Sequence, residues 1–211
     1  MIDHLTILKE RFKFGEFRPG QREVIEALCS RGAALAVFPT GGGKSLCYEL
    51  PALELEGITL VVSPLIALMK NQIDFLRSRG IPAARMDSSL TDDEAKSANE
   101  QLRSGVLKLL YVAPERFNNE RFVEMMRSRK ISLFAIDEAH CISEWGHNFR
   151  PDYLKLAETV KDLKAERVLA LTATATPPVV ESICAGFGIP KECAVITGFY
   201  RPNLRKVANR A

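Results

Sequence analysis

Short apolar runs alternate with amphipathic stretches along almost the whole chain. The apolar runs with the length of strands are 33–38, 59–63, 83–86, 107–112, 133–137, 167–171 and 194–197. The stretches with helical spacing of apolar residues are 7–14, 21–29, 44–55, 66–79, 92–104, 119–128, 152–163 and 178–187. Strands that alternate with helices in this way predict an α/β fold, in which helices cover both faces of a mostly parallel sheet.

Composition narrows the class of protein only slightly. The 211 residues fit one α/β domain, and the net charge of +3 is too small to argue for nucleic acid unless the basic surface is local. No apolar run is long enough to cross a bilayer, and the first residues do not resemble a signal peptide, so we expect no membrane association. The five cysteines lack C-x-x-C spacing. They predict buried thiols in a reducing, cytoplasmic compartment rather than structural zinc or disulfides.

A glycine-rich loop follows the first apolar run. Its sequence, P-T-G-G-G-K-S over residues 39–45, lies between a predicted strand and a predicted helix. Such a loop lets backbone N–H groups approach phosphates, with Lys44 neutralising their charge and Ser45 ligating Mg²⁺. The general P-loop pattern has glycine where this chain has Phe38. Taken alone, the loop also fits an ordinary glycine turn with a solvated lysine.

A second motif favours the nucleotide interpretation. The apolar run 133–137 ends in Asp137 and Glu138. Parallel strands place their ligands at their carboxyl ends, where Asp137 would hold Mg²⁺ opposite Ser45 and Glu138 would orient and deprotonate a water. Acidic turns are common at strand ends. Two nucleotide motifs in this chain order nevertheless predict a nucleoside triphosphatase.

With both motifs placed, the chain resembles the first motor lobe of the RecQ family of DNA helicases, in superfamily 2, from about residue 8 to 203. The acidic motif is of the Asp-Glu-Ala-His type, over residues 137–140. The resemblance implies a RecA-like P-loop domain over 1–199 that uses ATP and Mg²⁺, with a linker over 200–211 towards a second RecA-like lobe. It also implies 3′–5′ translocation on single-stranded DNA and unwinding of partly duplex DNA, in the cytoplasm or nucleoid, or in a eukaryotic nucleus. The implied catalytic residues are Lys44, Asp137, Glu138 and His140.

The segment 8–22 resembles the part of such helicases that recognises adenine. The amide of Gln21 can pair with the N6 and N7 edge of adenine, and Phe14 and Arg18 could stack on the ring. Without the surrounding motif, Gln21 would be interpreted as an ordinary surface residue of a helix and the phenylalanines as core residues. The implied cofactor-binding residues are Phe14, Arg18, Gln21, Thr40, Gly41, Gly42, Gly43, Lys44 and Ser45.

Further segments resemble the DNA-contacting and coupling motifs of the same family. The implied residues are Ser63, Lys70, Trp145, His147, Phe149, Arg150, Thr172 and Thr174. Trp145 and Phe149 lie in an aromatic-rich loop after the acidic motif, where they could stack on splayed bases. Ordinary β–α turns and an aromatic cluster at the sheet edge are the structural alternatives for these segments.

The residues after Thr172 contain no pattern of a second sheet and no arginine motif of the G-R-x-G-R type. An arginine finger accelerates hydrolysis by roughly 10³–10⁵, so we expect this chain to bind Mg-ATP and DNA weakly and to hydrolyse ATP poorly by itself. Two alternatives remain: a lobe of another superfamily-2 motor acting on RNA or DNA, and a non-enzymatic nucleic-acid-binding module with a vestigial nucleotide site.

Overall fold

A seven-stranded parallel sheet organises the described residues, 3–143 and 149–197, in the computed structural model of the chain. The strands are β1 (Ala33–Val37), β2 (Ile58–Val62), β3 (Ala83–Met86), β4 (Leu109–Val112), β5 (Ile131–Ile136), β6 (Val168–Thr172) and β7 (Ala194–Ile196). Their order across the sheet is β3-β4-β2-β5-β6-β1-β7. Every recorded strand pair is parallel, which confirms the predicted α/β class.

Helices connect the strands. They are α1 (His4–Ile7), α2 (Gln21–Arg31), α3 (Leu46–Glu54), α4 (Ile66–Ser78), α5 (Asp92–Arg103), α6 (Glu120–Arg127), α7 (Pro151–Asp162) and α8 (Pro177–Phe187). A π-helical turn covers Leu8–Phe12, and short 3-10 turns cover Pro114–Asn118, Ala139–Ile142 and Lys191–Cys193.

Two hydrophobic clusters show that both faces of the sheet are covered. Along β1, Leu35 and Val37 belong to one cluster, while Ala34 and Ala36 belong to the other. Side chains of α5 to α8 fill the first cluster, and those of α2, α3 and α4 fill the second. Because successive residues of a strand point to opposite faces, strands buried on both sides need the nearly continuous apolar runs seen in the sequence.

The strand order brings the ends of β1, β5 and β6 together. β6 lies between the other two, and Ala33 of β1 pairs with Val168 of β6. Because all three strands are parallel, the loops at their carboxyl ends leave the same edge of the sheet. The glycine loop after β1 and the acidic loop after β5 are therefore separated by one strand, which ends at Thr172.

The predicted boundaries differ from the observed ones by at most two residues after the first helix. The predicted helix over 7–14 was wrong at its start, because the Asp3 carboxylate accepts the Leu5 N–H and begins α1 earlier. The helix predicted from Lys44 begins two residues later, at Leu46. The carbonyl of Gly43 accepts a side-chain hydrogen bond, and the N–H of Cys47 bonds to Lys44 instead. The predicted linker over 200–211 lies outside the described residues.

Candidate nucleotide site

The glycine loop is fastened to the centre of the sheet. The Phe38 N–H donates to the Thr172 carbonyl of β6 at 3.1 Å, and the Gly42 N–H donates back to Pro39 at 2.8 Å. A Cβ on Gly42 would stand 2.8 Å from the Pro39 oxygen, so this turn requires glycine. The Lys44 ammonium lies 3.4 Å from the Phe38 carbonyl. The loop thus folds over its own lysine, while Thr40 and Gly41 face solvent.

The predicted adenine-recognition segment contacts the loop directly. Gln21 is 2% exposed; its amide oxygen accepts the Arg18 N–H at 2.8 Å and its amide nitrogen donates to the Gly43 carbonyl at 2.8 Å. The Arg18 guanidinium donates to the Gly41 carbonyl. The amide oxygen of Gln21 can accept one more hydrogen bond, and its amide nitrogen can donate one more. The structure therefore brings these residues together with the loop, and their contact with adenine stays a prediction.

A cavity of about 380 Å³ opens beside this junction. Its lining includes the predicted residues Phe14, Gln21 and Ser45, and Phe14 is 43% exposed. It also includes Glu49 of α3 and Phe75 of α4, which the sequence analysis did not single out. Burial raises the pKa of the Glu49 carboxyl to about 7, although a hydrogen bond with Ser45 opposes the shift. The glycine loop and the adenine segment thus share one concave site.

The acidic motif lies at the end of β5. Asp137 is buried, and its carboxylate accepts the Glu138 N–H at 3.0 Å and the Ser63 hydroxyl at 3.3 Å. Burial, with the neighbouring charge of Glu138, raises the pKa of Asp137 to about 6, and the charge of Lys44 acts in the opposite direction. A buried carboxylate with a raised pKa gains stability from a nearby cation. The carboxylate of Asp137 and the hydroxyl of Ser45 are oxygen donors of the kind that Mg²⁺ prefers.

Glu138 and His140 form an ion pair next to Thr172. Glu138 has a left-handed backbone, with φ 50°, and its carboxylate lies 3.3 Å from His140 Nδ1. Thr172 donates its hydroxyl proton to the Thr174 carbonyl, so its oxygen accepts from His140 Nδ1 at 3.0 Å. The hydrogen bond from His140 lowers the pKa of Glu138. The Cys141 sulfur and the Glu138 carboxylate raise the pKa of His140 to about 9.

The residues predicted to contact DNA lie in different parts of the structure. Ser63 is buried against Asp137, whereas Lys70 is exposed on α4 and lines a different cavity. Phe149 is half-buried, and the exposed Arg150 precedes α7. Thr174 is exposed, and its backbone carbonyl accepts the hydrogen bond from the Thr172 hydroxyl. Trp145 and His147 lie outside the described residues. Contact of these residues with DNA stays a prediction.

Tyr153 is a further residue of the site whose role the sequence did not reveal. Its ring is fully buried, and its hydroxyl donates to the Asp137 carbonyl at 2.9 Å. This bond fixes the backbone where Glu138 takes its left-handed conformation. The only sequence signal was its place in the aromatic-rich segment after the acidic motif, for which an aromatic cluster at the sheet edge was the structural alternative.

Residues 3–143 and 149–197 contain neither a candidate membrane span nor a candidate metal cluster. No helix there is long and apolar enough to cross a membrane. In the same residues, no group of three or more His, Cys, Asp or Glu side chains is arranged to hold a metal ion.

Similar proteins share both the sequence and the fold. The family model described as "DEAD/DEAH box helicase" matches residues 18–183. "ATP-dependent DNA helicase RecQ" of Bacillus subtilis is 45% identical over 201 residues, 94% of this chain and 34% of that protein. The protein of the same name from Haemophilus influenzae is 44% identical and covers 95% of this chain and 32% of its own length. The chain thus spans about a third of the length of these curated relatives.

Solved structures confirm the RecA-like helicase fold. The Hef helicase domain of Pyrococcus furiosus matches with a TM-score of 0.65 and 22% identity, over 91% of this chain and 40% of that chain. A hypothetical ATP-dependent RNA helicase from Sulfolobus tokodaii matches with a TM-score of 0.65 and 20% identity, over 89% of this chain and 55% of its own. The match of the family model over residues 18–183 shows that the chain belongs to the DEAD/DEAH box helicase family, and its sequence is similar to about a third of the length of RecQ DNA helicases.

Proposed function

We propose that this chain is the ATP-binding lobe of a 3′–5′ DNA helicase that couples ATP hydrolysis to movement along single-stranded DNA. In this proposal the chain binds Mg-ATP with the loop 39–45 and the adenine segment 8–22. A second RecA-like lobe supplies the arginines needed for fast turnover. The similarity to proteins named RecQ supports DNA, rather than RNA, as the substrate.

The observation that carries the proposal is the position of Thr172. Its backbone carbonyl holds the glycine loop through Phe38, and its hydroxyl holds the acidic motif through His140. A change at the phosphates can therefore reach Glu138 and His140 through one residue at the end of β6. Such a connection is what a nucleotide-driven motor needs between its phosphate sensor and its catalytic carboxylate.

Each side chain of the site would have a separate role in ATP hydrolysis. Lys44 would neutralise the β- and γ-phosphates once it leaves the Phe38 carbonyl. Ser45 and Asp137 would hold Mg²⁺, which when bound neutralises phosphate charge. Glu138 is ionised at neutral pH, because its pKa is lowered, so it can orient the attacking water and accept its proton. His140 holds the Glu138 carboxylate in place at 3.3 Å.

Nucleotide binding by this chain tests the proposal. We expect isothermal titration calorimetry to detect Mg-ATP binding by the wild type and none by Lys44→Ala. Lys96→Ala, which removes an exposed lysine of α5, is the matched control and should bind like the wild type. Equal binding by the wild type and Lys44→Ala would refute the nucleotide site.

Hydrolysis tests the assignment to one lobe of a motor. We expect steady-state ATP hydrolysis near the rate of Lys44→Ala, with or without single-stranded DNA, because the proposal assigns the arginines needed for fast turnover to a second lobe. A clear DNA-stimulated rate above that blank would show that the chain completes its own active site, for example by self-association. The second lobe would then be unnecessary for turnover.

A further inference from the structure

The cavity beside the glycine loop has aromatic residues from two separate elements. Gly43 and Ser45 line it on the side of the predicted phosphate site. Phe14, from the adenine segment, and Phe75, from α4, also line it. A volume of about 380 Å³ falls in the range of small-molecule sites. A cavity that joins a phosphate cradle to aromatic side chains fits a nucleotide, whose base is flat and apolar on both faces.

Contacts within the protein hold Phe75 in place. The Arg79 guanidinium carbon lies 3.7 Å from the centroid of the Phe75 ring, as in a stacked cation–π pair. The same guanidinium is 3.5 Å from the carbonyl of Phe12 and 3.5 Å from that of Phe75. The half-buried ring also packs against the core cluster beneath α2 and α3. A ring fixed in this way loses little conformational freedom when it binds a ligand.

We infer that Phe75 is an affinity-determining residue of the nucleotide-base site, where it contacts the base of a purine nucleoside triphosphate. The inference rests on the proposed function, since the cavity receives a base only if the glycine loop holds the phosphates. Phe75 and Gln21 would have different tasks. Every base offers an aromatic face, so Phe75 strengthens binding of ATP and GTP alike, whereas the Gln21 amide distinguishes the edges of the two bases.

Calorimetry with three probes separates these contributions: Mg-ATP, Mg-GTP and Mg-tripolyphosphate, which has no base. An aromatic pair is worth roughly 2- to 12-fold in affinity beyond the area that it buries. We therefore expect Phe75→Leu to bind ATP and GTP roughly 2- to 12-fold more weakly and tripolyphosphate unchanged. Phe75→Tyr retains the aromatic face and should restore the affinity of the wild type.

Phe187→Leu is the matched control for lost core packing. Phe187 is buried in the cluster on the other face of the sheet, so this variant should bind Mg-ATP like the wild type. Thermal unfolding followed by circular dichroism checks that each variant is folded. If Phe75→Leu does not fold, Phe75→Trp supplies the test. Its added emission, measured against the wild type, should be quenched by Mg-ATP but not by Mg-tripolyphosphate.

The outcomes distinguish the inference from the proposed function. Wild-type affinity for ATP in folded Phe75→Leu, or equal weakening of ATP and tripolyphosphate, would overturn the role of Phe75 but leave the nucleotide site standing. Equal quenching of Phe75→Trp by both probes would do the same. Failure of the wild-type chain to bind Mg-ATP better than Lys44→Ala would overturn the site itself, and the role of Phe75 with it.

Discussion

The hydroxyl of Tyr153 offers a direct test of how the acidic motif is held. Tyr153→Phe keeps the buried ring and removes only the donor that lies 2.9 Å from the Asp137 carbonyl. A buried acceptor that loses its partner costs about 1–3 kcal/mol. A protein of this size loses about 2–4 °C of melting temperature per kcal/mol. We therefore expect Tm to fall by roughly 2–12 °C in thermal unfolding followed by circular dichroism.

Tyr48→Phe is the matched control for this experiment. Tyr48 is equally buried, but its hydroxyl donates at 3.2 Å to Gln72, whose half-buried side chain can turn towards water after the change. The backbone carbonyl of Asp137, at the end of β5, cannot turn towards water in this way. We expect Tyr48→Phe to lower stability by less than about 1 kcal/mol. A loss in Tyr153→Phe no larger than in Tyr48→Phe would show that the bond to Asp137 does not support the acidic motif.

Three other changes test separate parts of the site. Gly43→Ala would place a Cβ 2.5 Å from the Gln21 amide nitrogen, so Mg-ATP affinity should fall at least about tenfold, by the loss of one hydrogen bond to the loop and its distortion. Gly32→Ala, at the same φ of +75° but with its nearest contact at 3.6 Å, should lower stability and leave binding intact; equal effects on binding would contradict this explanation. His140 has a raised pKa, so its contribution is complete below about pH 6.5 and is lost as pH rises through about 9. The free energy of unfolding in urea should thus fall more in the wild type than in His140→Gln as pH rises from about 6.5 to 9.5, and parallel curves would show that the contacts of His140 with Cys141 and Glu138 do not stabilise the fold. Trp145→Ala, in a protein that also carries the second lobe, should bind ATP normally but lose stimulation of hydrolysis by single-stranded DNA; normal stimulation would remove the aromatic loop from the coupling path.

The sequence predicted the elements well because their signals are local. Each strand buried on both faces needs a short apolar run, and each covering helix needs a periodic one, so both patterns are visible without knowing the partners. The glycine loop and Asp137 were placed at strand ends for the same reason. Parallel strands present such ends to one edge of the sheet, whatever their order across it.

What the sequence did not reveal depends on contacts between distant segments. Ser63 could equally have faced outward, and only the pairing of β2 with β5 turns its hydroxyl towards Asp137. Phe75 lies on α4 away from the buried stripe of Met69, Ile73 and Leu76, and the cavity beside it becomes visible only when the adenine segment is in place. Likewise, no local pattern indicates that Tyr153 reaches a carbonyl 16 positions earlier in the chain.

The position of β6 between β5 and β1 also constrains the order in which the strands can pair during folding. During synthesis β1 emerges early, but Ala33 must wait for Val168 before that side of the strand is paired. Such long-range pairing slows folding and leaves an apolar strand edge uncovered meanwhile. Neither the glycine loop nor the acidic motif has its bond to Thr172 before then. A nascent chain therefore gains no help from ATP in folding, since a ligand stabilises only the state that already contains its site.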